Sequence, residues 1–313
     1  MKIPTAQALL QQTVTLHISS TAIIVQVREL PIDREHSGTA VRRYELTLDE
    51  MLANGTTIQL VIKEAVLSER RTLAHLNAQL QPGVPYFHTL DLETDAFMLI
   101  CMQDLGSIQR PASLDPIKEI TLRQEAAGLA AIHAANWGHA SDLSWLPRAD
   151  RSYFAQMIEQ TYWRPHWEQI VRDPTFNAEF GSDLPRIEAA AGTIVEEMAA
   201  LYNEADTLTL VHTDINPSNI LLLDGVPYFI DWHAAHYGPC YLDVPHHFFT
   251  PALAEYYHAA MLAHGINLPR DTFTERFRIA ARYTALRYMW WTFEAWREDH
   301  TMDVWVRHYF SMI

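Results

Sequence analysis

Between residues 212 and 231 lie three polar side chains whose types and spacing suit the transfer of a phosphoryl group. The segment His212-Thr213-Asp214-Ile215-Asn216-Pro217-Ser218-Asn219 runs into the apolar stretch Ile220-Leu221-Leu222. A turn at Asp224-Gly225 follows, and a second apolar stretch ends in Ile230-Asp231-Trp232. Transfer to a hydroxyl needs a carboxylate that orients the hydroxyl and accepts its proton, and oxygen ligands for the Mg²⁺ that travels with the phosphates. Asp214 suits the first task, and Asn219 with Asp231 the second. A loop from Asp214 to Asn219 and the end of the next hairpin strand can converge on one metal. That convergence separates the set from a polar loop that uses Asp and Asn only for turn hydrogen bonds.

His212 to Leu222 and Phe229 to Val244 resemble the catalytic segment of the aminoglycoside phosphotransferase and choline kinase family, which has the protein-kinase-like fold. The continuation from Asp231-Trp232 through Ala235 and Gly238-Pro239 to Asp243 follows the same family habit. The resemblance implies ATP or GTP as donor, Mg²⁺ as cofactor and a small-molecule hydroxyl as acceptor. It assigns Asp243 the bracing of the catalytic loop, and His212 a structural tie to the metal-binding strand. Kinases of this fold hold the α- and β-phosphates with a strand lysine paired to a helix glutamate. The chain has three lysines, Lys2, Lys63 and Lys118. Lys63 closes the run Ile58-Gln59-Leu60-Val61-Ile62, and Glu69 is the expected partner, since Glu64 points to the opposite strand face. The alternative for Lys63 is an exposed charge at a strand end. By resemblance, Ser37, Gly38 and Thr39 offer backbone N–H groups and hydroxyls to phosphate oxygens, although one glycine without a GxGxxG pattern equally fits an ordinary turn. Gln103-Asp104-Leu105-Gly106 resembles the hinge between lobes, with the Gln103 carbonyl and the Leu105 N–H facing the adenine edge. The run Leu129 to Ala134 also has the family's appearance, with His133 as a packed helix residue.

The elements that must position these groups fall into two classes. Ile23–Leu30, Val41–Leu48 and Thr57–Ala65 are rich in β-branched and apolar residues, with turn-like stretches between them. Val66–Leu80 has helical spacing, and Tyr86–Leu92 and Ala96–Met102 are further strand candidates. Beyond Gly106 helices dominate, at Pro116–Trp137, Arg151–Val171, Leu184–Tyr202 and from Pro251 to the end. The strand candidates Thr207–Val211 and Tyr228–Ile230 interrupt them. The expected fold is α+β with two lobes, a β-rich nucleotide-binding N-lobe over 1–105 and a larger, mainly helical C-lobe over 106–313.

A formal charge of −15 argues against a nucleic-acid surface, which needs clustered Lys and Arg. The imbalance divides as −4 over 1–106 and −11 over the remainder, which favours a cationic acceptor or serves solubility alone. Tyr162, Trp163, Trp167, Tyr288, Trp290, Trp291, Phe293, Trp296 and Trp305, with Glu294, Glu298 and Asp299 among them, could bind an ammonium group by cation–π contact. Trp290, Trp291 and Trp296 cannot share one helix face, so core packing is the expectation for most. Two cysteines exclude a disulfide framework, and no apolar run suits export or a membrane span, so the expected location is cytoplasmic. Two other readings remain open at this level. The histidines and aspartates between 212 and 247 could serve a metal-dependent hydrolase, and the fold could serve a catalytically silent binding protein.

Overall fold

The computed structural model describes residues 3–31, 41–53, 55–106 and 117–313. Packing divides the chain into two units, one of Met1–Asp115 with Pro217–Ala235 and one of Pro116–Asn216 with His236–Ile313.

In the first unit, helix α1 (Ile3–His17) precedes an antiparallel sheet of β1 (Ile24–Leu30), β2 (Arg42–Leu52), β3 (Gly55–Ala65), β4 (Phe87–Thr89) and β5 (Met98–Gln103). Helix α2 (Leu67–Ala78) lies between β3 and β4 in sequence, and the strand order is β1-β2-β3-β5-β4. Strands alternate their side chains between two faces. Tyr44, Leu46 and Leu48 of β2 and Leu60 and Ile62 of β3 therefore point to one side, where Ala6, Leu9, Leu10 and Val14 of α1 cover them. Lys63 has the opposite parity and leaves from the other face, while Glu64 is exposed. Helix α1 has no counterpart in the sequence reading. Its spacing of apolar residues by three and four marks it as amphipathic.

The segment 217–235 folds with this unit, whereas the sequence assigns it to the second lobe. It forms a short 3₁₀ turn (Pro217–Asn219), then the hairpin β7 (Ile220–Leu223) and β8 (Val226–Phe229). The Phe229 N–H donates to the Gly83 carbonyl at 2.9 Å. Gly83 has φ +76°, and a Cβ there would meet the Pro227 carbonyl oxygen at 2.2 Å, so only glycine permits this docking. Contacts distant in sequence, invisible to any local pattern, thus move this hairpin out of the second lobe.

The second unit begins with α3 (Glu119–Ala135), α4 (Arg151–Ala155), α5 (Trp163–Ile170), α6 (Pro174–Phe180) and α7 (Leu184–Asn203). Strands β6 (Leu208–Val211) and β9 (His236–Pro239) pair antiparallel, and α8 (Pro251–Ala263), α9 (Arg270–Glu298) and α10 (Asp303–Ser311) complete it. The single helix expected over 151–171 is interrupted by a π-helical turn at Gln156–Thr161. Pro165, which has no N–H to donate, falls in the first turn of α5, where none is needed. Trp163, Trp167 and Trp296 are buried with Phe176, Phe180 and Phe293, so these aromatics are core. Among the described residues no helix is long and apolar enough to cross a membrane.

One buried cation holds α2 to its surroundings. Arg70 is fully buried, and its guanidinium donates to the carbonyls of Ala65 at 2.7 Å and Ala96 at 3.0 Å and to that of Thr94. Replacing it takes a donor from the buried Ala65 carbonyl and unties the part-buried carbonyls of Thr94 and Ala96. Arg70→Met is expected to destabilise the protein by about 2–4 kcal/mol in urea unfolding; a change below about 0.5 kcal/mol would show that the carbonyls find other donors.

Candidate active site

The end of β3 and the first turn of α2 bring Lys63 to Glu69. The ammonium Nζ lies 2.6 Å from Glu69 Oε1 and 2.7 Å from Asp231 Oδ1. Lys63 and Glu69 are buried, whereas the Asp231 side chain is 40 % exposed. His233 Nδ1 stands 3.4 Å from the same Oδ1. Burial opposes the charged form of Lys63, but Glu69 and Asp231 outweigh it and raise the ammonium above its usual value. For Asp231, burial works against ionisation, yet the His233 hydrogen bond and the Lys63 charge hold its carboxyl far below the usual range. Glu69 is pushed up by burial, with the Lys63 charge opposing.

Asp231 sits at φ +69°, ψ +53°, a left-handed conformation in which an aspartate is uncommon. The hairpin and the next turn enforce it. Ile230 N–H donates to the Asn219 carbonyl at 3.0 Å, and the indole of Trp232 donates to the Phe229 carbonyl at 2.9 Å, with Trp232 fully buried. Ser68 Oγ of α2 donates to the His233 carbonyl at 3.1 Å. Asn219 and Asp231 therefore flank the open end of one hairpin. An amide oxygen and a carboxylate are hard donors that suit Mg²⁺. Two protein ligands are too few for a closed cage but enough for an ion that arrives on phosphates.

In the second unit, β6 delivers His212, Thr213 and Asp214. The buried carboxylate of Asp243 accepts the N–H of His212 on Oδ2 and of Thr213 on Oδ1, both at 2.6 Å. Oδ2 also meets His133 Nε2 at 3.1 Å, and His133 Nδ1 meets the Tyr257 hydroxyl at 2.7 Å. Thr213 has φ +64°, a costly conformation for a β-branched residue. Its carbonyl accepts from the Arg287 Nη1 group at 2.6 Å, so the strained peptide is gripped at both ends. The Asp214 N–H donates to His212 Nδ1 at 3.3 Å, and the Tyr288 hydroxyl donates to Asp214 Oδ1 at 2.6 Å. Gly238 lets β9 pass close to Ala149, whose Cβ would stand 2.7 Å from a Cβ at position 238.

The sequence model of the phosphotransferase enzyme family matches residues 38–291. The chain belongs to that family. Among curated proteins none matches it in sequence. Solved structures with the same fold include an aminoglycoside phosphotransferase from Alicyclobacillus acidocaldarius, at TM-score 0.59 and 16 % identity over 92 % of this chain and 88 % of that one. A spectinomycin phosphotransferase in complex with ADP and spectinomycin is similar at TM-score 0.51 and 15 % identity, over 96 % and 92 %. A macrolide 2'-phosphotransferase is similar at TM-score 0.50 and 16 % identity, over 92 % and 91 %. Their shared architecture, an antiparallel sheet lobe and a mainly helical lobe, is the one seen here.

This phosphotransferase gathers Lys63, Glu69, Asn219 and Asp231 in its first unit and holds His212, Asp214 and Asp243 in its second. Gln103 ends β5 in the first unit and donates its N–H to the Tyr86 carbonyl at 3.0 Å, while Leu105 is buried. Arg43 ties down the Asp104 carboxylate between them at 2.7 Å. Ser37, Gly38 and Thr39 lie outside the described residues. The histidines that suggested a hydrolase have separate partners: His247 pairs with Glu125 at 2.6 Å, and the His246 ring stacks on Tyr288 at 3.9 Å. Among the described residues no group of three or more His, Cys, Asp or Glu is arranged to hold a metal. His133 is buried in α3, as expected of a packed helix residue, and adds the bond to Asp243; the sequence gives no role to Arg287 and shows Tyr288 only as one of many aromatics. Their partners lie 74 or more residues away, a distance over which spacing carries no signal.

Two expectations follow for the phosphotransferase. Asp243→Asn puts an N–H₂ where two backbone N–H groups need an acceptor, and should cost about 2–4 kcal/mol in urea unfolding; an unchanged midpoint would remove the bracing role. His246 falls from the ordinary 6.5 to about 4 because burial disfavours its charged form, with the Asp214 charge opposing. The unfolded chain then binds the extra proton first, so this contribution to stability is complete above pH 6.5 and lost as pH falls towards 4. His246→Phe should therefore flatten the stability profile across that window by on the order of 2 kcal/mol. A variant profile parallel to the wild type would show that His246 does not titrate there.

Proposed function

We propose that the protein transfers the γ-phosphoryl group of ATP, or GTP in its place, to a hydroxyl of a small molecule. The observation that carries the reading is the Lys63–Glu69–Asp231 cluster beside Asn219, in a chain of the phosphotransferase enzyme family. The first unit, with its sheet, α2 and the 217–235 hairpin, is the nucleotide-binding part, and the second is the acceptor part. Lys63, held upright by Glu69, grips the α- and β-phosphates. Asn219 and Asp231 would hold Mg²⁺, which neutralises charge on the phosphate oxygens when bound. The Gln103 carbonyl and the Leu105 N–H would meet the adenine edge, and Ser37, Gly38 and Thr39 the phosphates.

Asp214 orients the acceptor hydroxyl and takes its proton. A bond forms between the acceptor oxygen and the γ-phosphorus, the bond from that phosphorus to the bridging oxygen breaks, and the nucleoside diphosphate leaves. Because the transition state is loose, fixed geometry and charge contribute more than basicity. The acidic charge of the chain favours an acceptor that carries an amine, such as an amino sugar or amino alcohol. That ADP and spectinomycin occupy one of the structural neighbours supports this choice of donor and acceptor class. Two free, buried cysteines suit the reducing, nucleotide-rich cytoplasm.

Thermal unfolding with Mg²⁺ and nucleotide tests the reading, because a ligand that binds only the native state raises its apparent stability. Wild type and Asp214→Ala should both shift with Mg·ATP or Mg·GTP, whereas Asp231→Ala should lose the magnesium-dependent part. Turnover by Asp214→Ala should fall ~10²-fold or more. A wild-type protein that shifts with neither nucleotide would overturn the proposal.

A further inference from the structure

We infer that Tyr288 is a positioning residue for the transfer step, setting the orientation of the Asp214 carboxylate through its hydroxyl. The inference rests on the function proposed above. Asp214 is attached to a loop whose backbone is pinned by Asp243 and Arg287, but a pinned backbone does not fix rotation about the Cβ–Cγ bond of its side chain. The terminal torsion of aspartate is broad, so the two oxygens exchange places readily without a directional partner. Tyr288 supplies one. Its hydroxyl lies 2.6 Å from Asp214 Oδ1 and 3.3 Å from the Thr213 carbonyl oxygen. A phenol has a single proton to donate, and the shorter contact to the charged acceptor takes it.

The phenol is itself held in place. Tyr288 and Arg287 are consecutive on α9, and both reach the 213–214 peptide. The guanidinium of Arg287 lies 5.2 Å from the Tyr288 ring centroid. The His246 ring stacks on Tyr288 at 3.9 Å with 29° between planes, and the Tyr309 hydroxyl lies 3.2 Å from His246 Nε2. Burial and the Asp214 charge raise the phenol well above its ordinary value, with Arg287 opposing, so it remains an O–H donor. Oδ1 of Asp214 is thereby committed to Tyr288, and this hydrogen bond sets the plane of the carboxylate that meets the acceptor hydroxyl. Transition-state positioning of this kind acts on kcat and leaves nucleotide affinity alone.

Tyr288→Phe removes the hydroxyl and keeps the ring that stacks on His246. Mg·ATP turnover is measured for wild type, Tyr288→Phe, Asp214→Asn and the double variant, with water as acceptor and then with the best acceptor from a panel of aminoglycosides and amino alcohols. Tyr288→Phe is expected to lower kcat about tenfold or more, with KM for ATP within about twofold and a melting temperature within a few degrees of wild type. In the Asp214→Asn background the same change should have no further effect, because the group it orients is gone. A smaller loss of kcat, a loss carried by KM, or an equal loss in the Asp214→Asn background overturns the inference alone. A wild type that turns over neither Mg·ATP nor Mg·GTP overturns the proposed function, and this inference with it.

Discussion

One ammonium group set between two carboxylates ties three elements of the first unit together. Lys63 comes from a central strand, Glu69 from the helix after it, and Asp231 from a hairpin 168 residues further along. Removing water from three charges is expensive, and attraction offsets it only when the geometry is close. The separations of 2.6 and 2.7 Å meet that condition. The cluster carries one more negative charge than positive, and it is open to solvent on the Asp231 side. A site of that sign suits a divalent cation bound to phosphates, because Lys63 can keep Glu69 while its other contact passes to a phosphate oxygen.

In the second unit, strain is concentrated where the chemistry is expected. Thr213 in the left-handed region costs of order 1–3 kcal/mol, and such a conformation persists only where its surroundings over-determine it. Here Asp243 takes the N–H groups of both residues before Asp214, and Arg287 takes the carbonyl. The same αL conformation recurs at Asp231, here beside a buried aromatic anchor, Trp232. Thr213, next to Asp214, and Asp231 are thus both held in the left-handed region by bonds to the chain around them.

Much of this was legible in the residues themselves. The β-branched and apolar run Ile58 to Ile62 placed Lys63 at a strand end with Glu69 in the first turn of the next element, and the HxDxxxxN spacing with Asp231 beyond a hairpin located the polar groups. These are local patterns, and local patterns survive folding when a sheet or helix supplies the register. Helix α1 was missed although Ala6, Leu9, Leu10 and Val14 keep helical spacing, because its apolar stripe has meaning only against the sheet it covers. Arg70, Arg287 and Tyr288 were opaque for a different reason. Their partners are backbone carbonyls and one carboxylate brought near by tertiary packing, and nothing in an arginine or a tyrosine announces such a partner.

The central claim is that this phosphotransferase moves a γ-phosphoryl group onto a hydroxyl oriented by Asp214. Mg·ATP carrying an isotope label in its γ-phosphate, incubated with a panel of amino sugars, amino alcohols and sugars and followed by mass spectrometry, tests it most directly. The account predicts a labelled phosphate ester on an acceptor hydroxyl, formed ~10²-fold or more slowly when Asp214→Asn replaces the wild type. A label attached to nitrogen, or an ester formed as fast by Asp214→Asn as by the wild type, would contradict it.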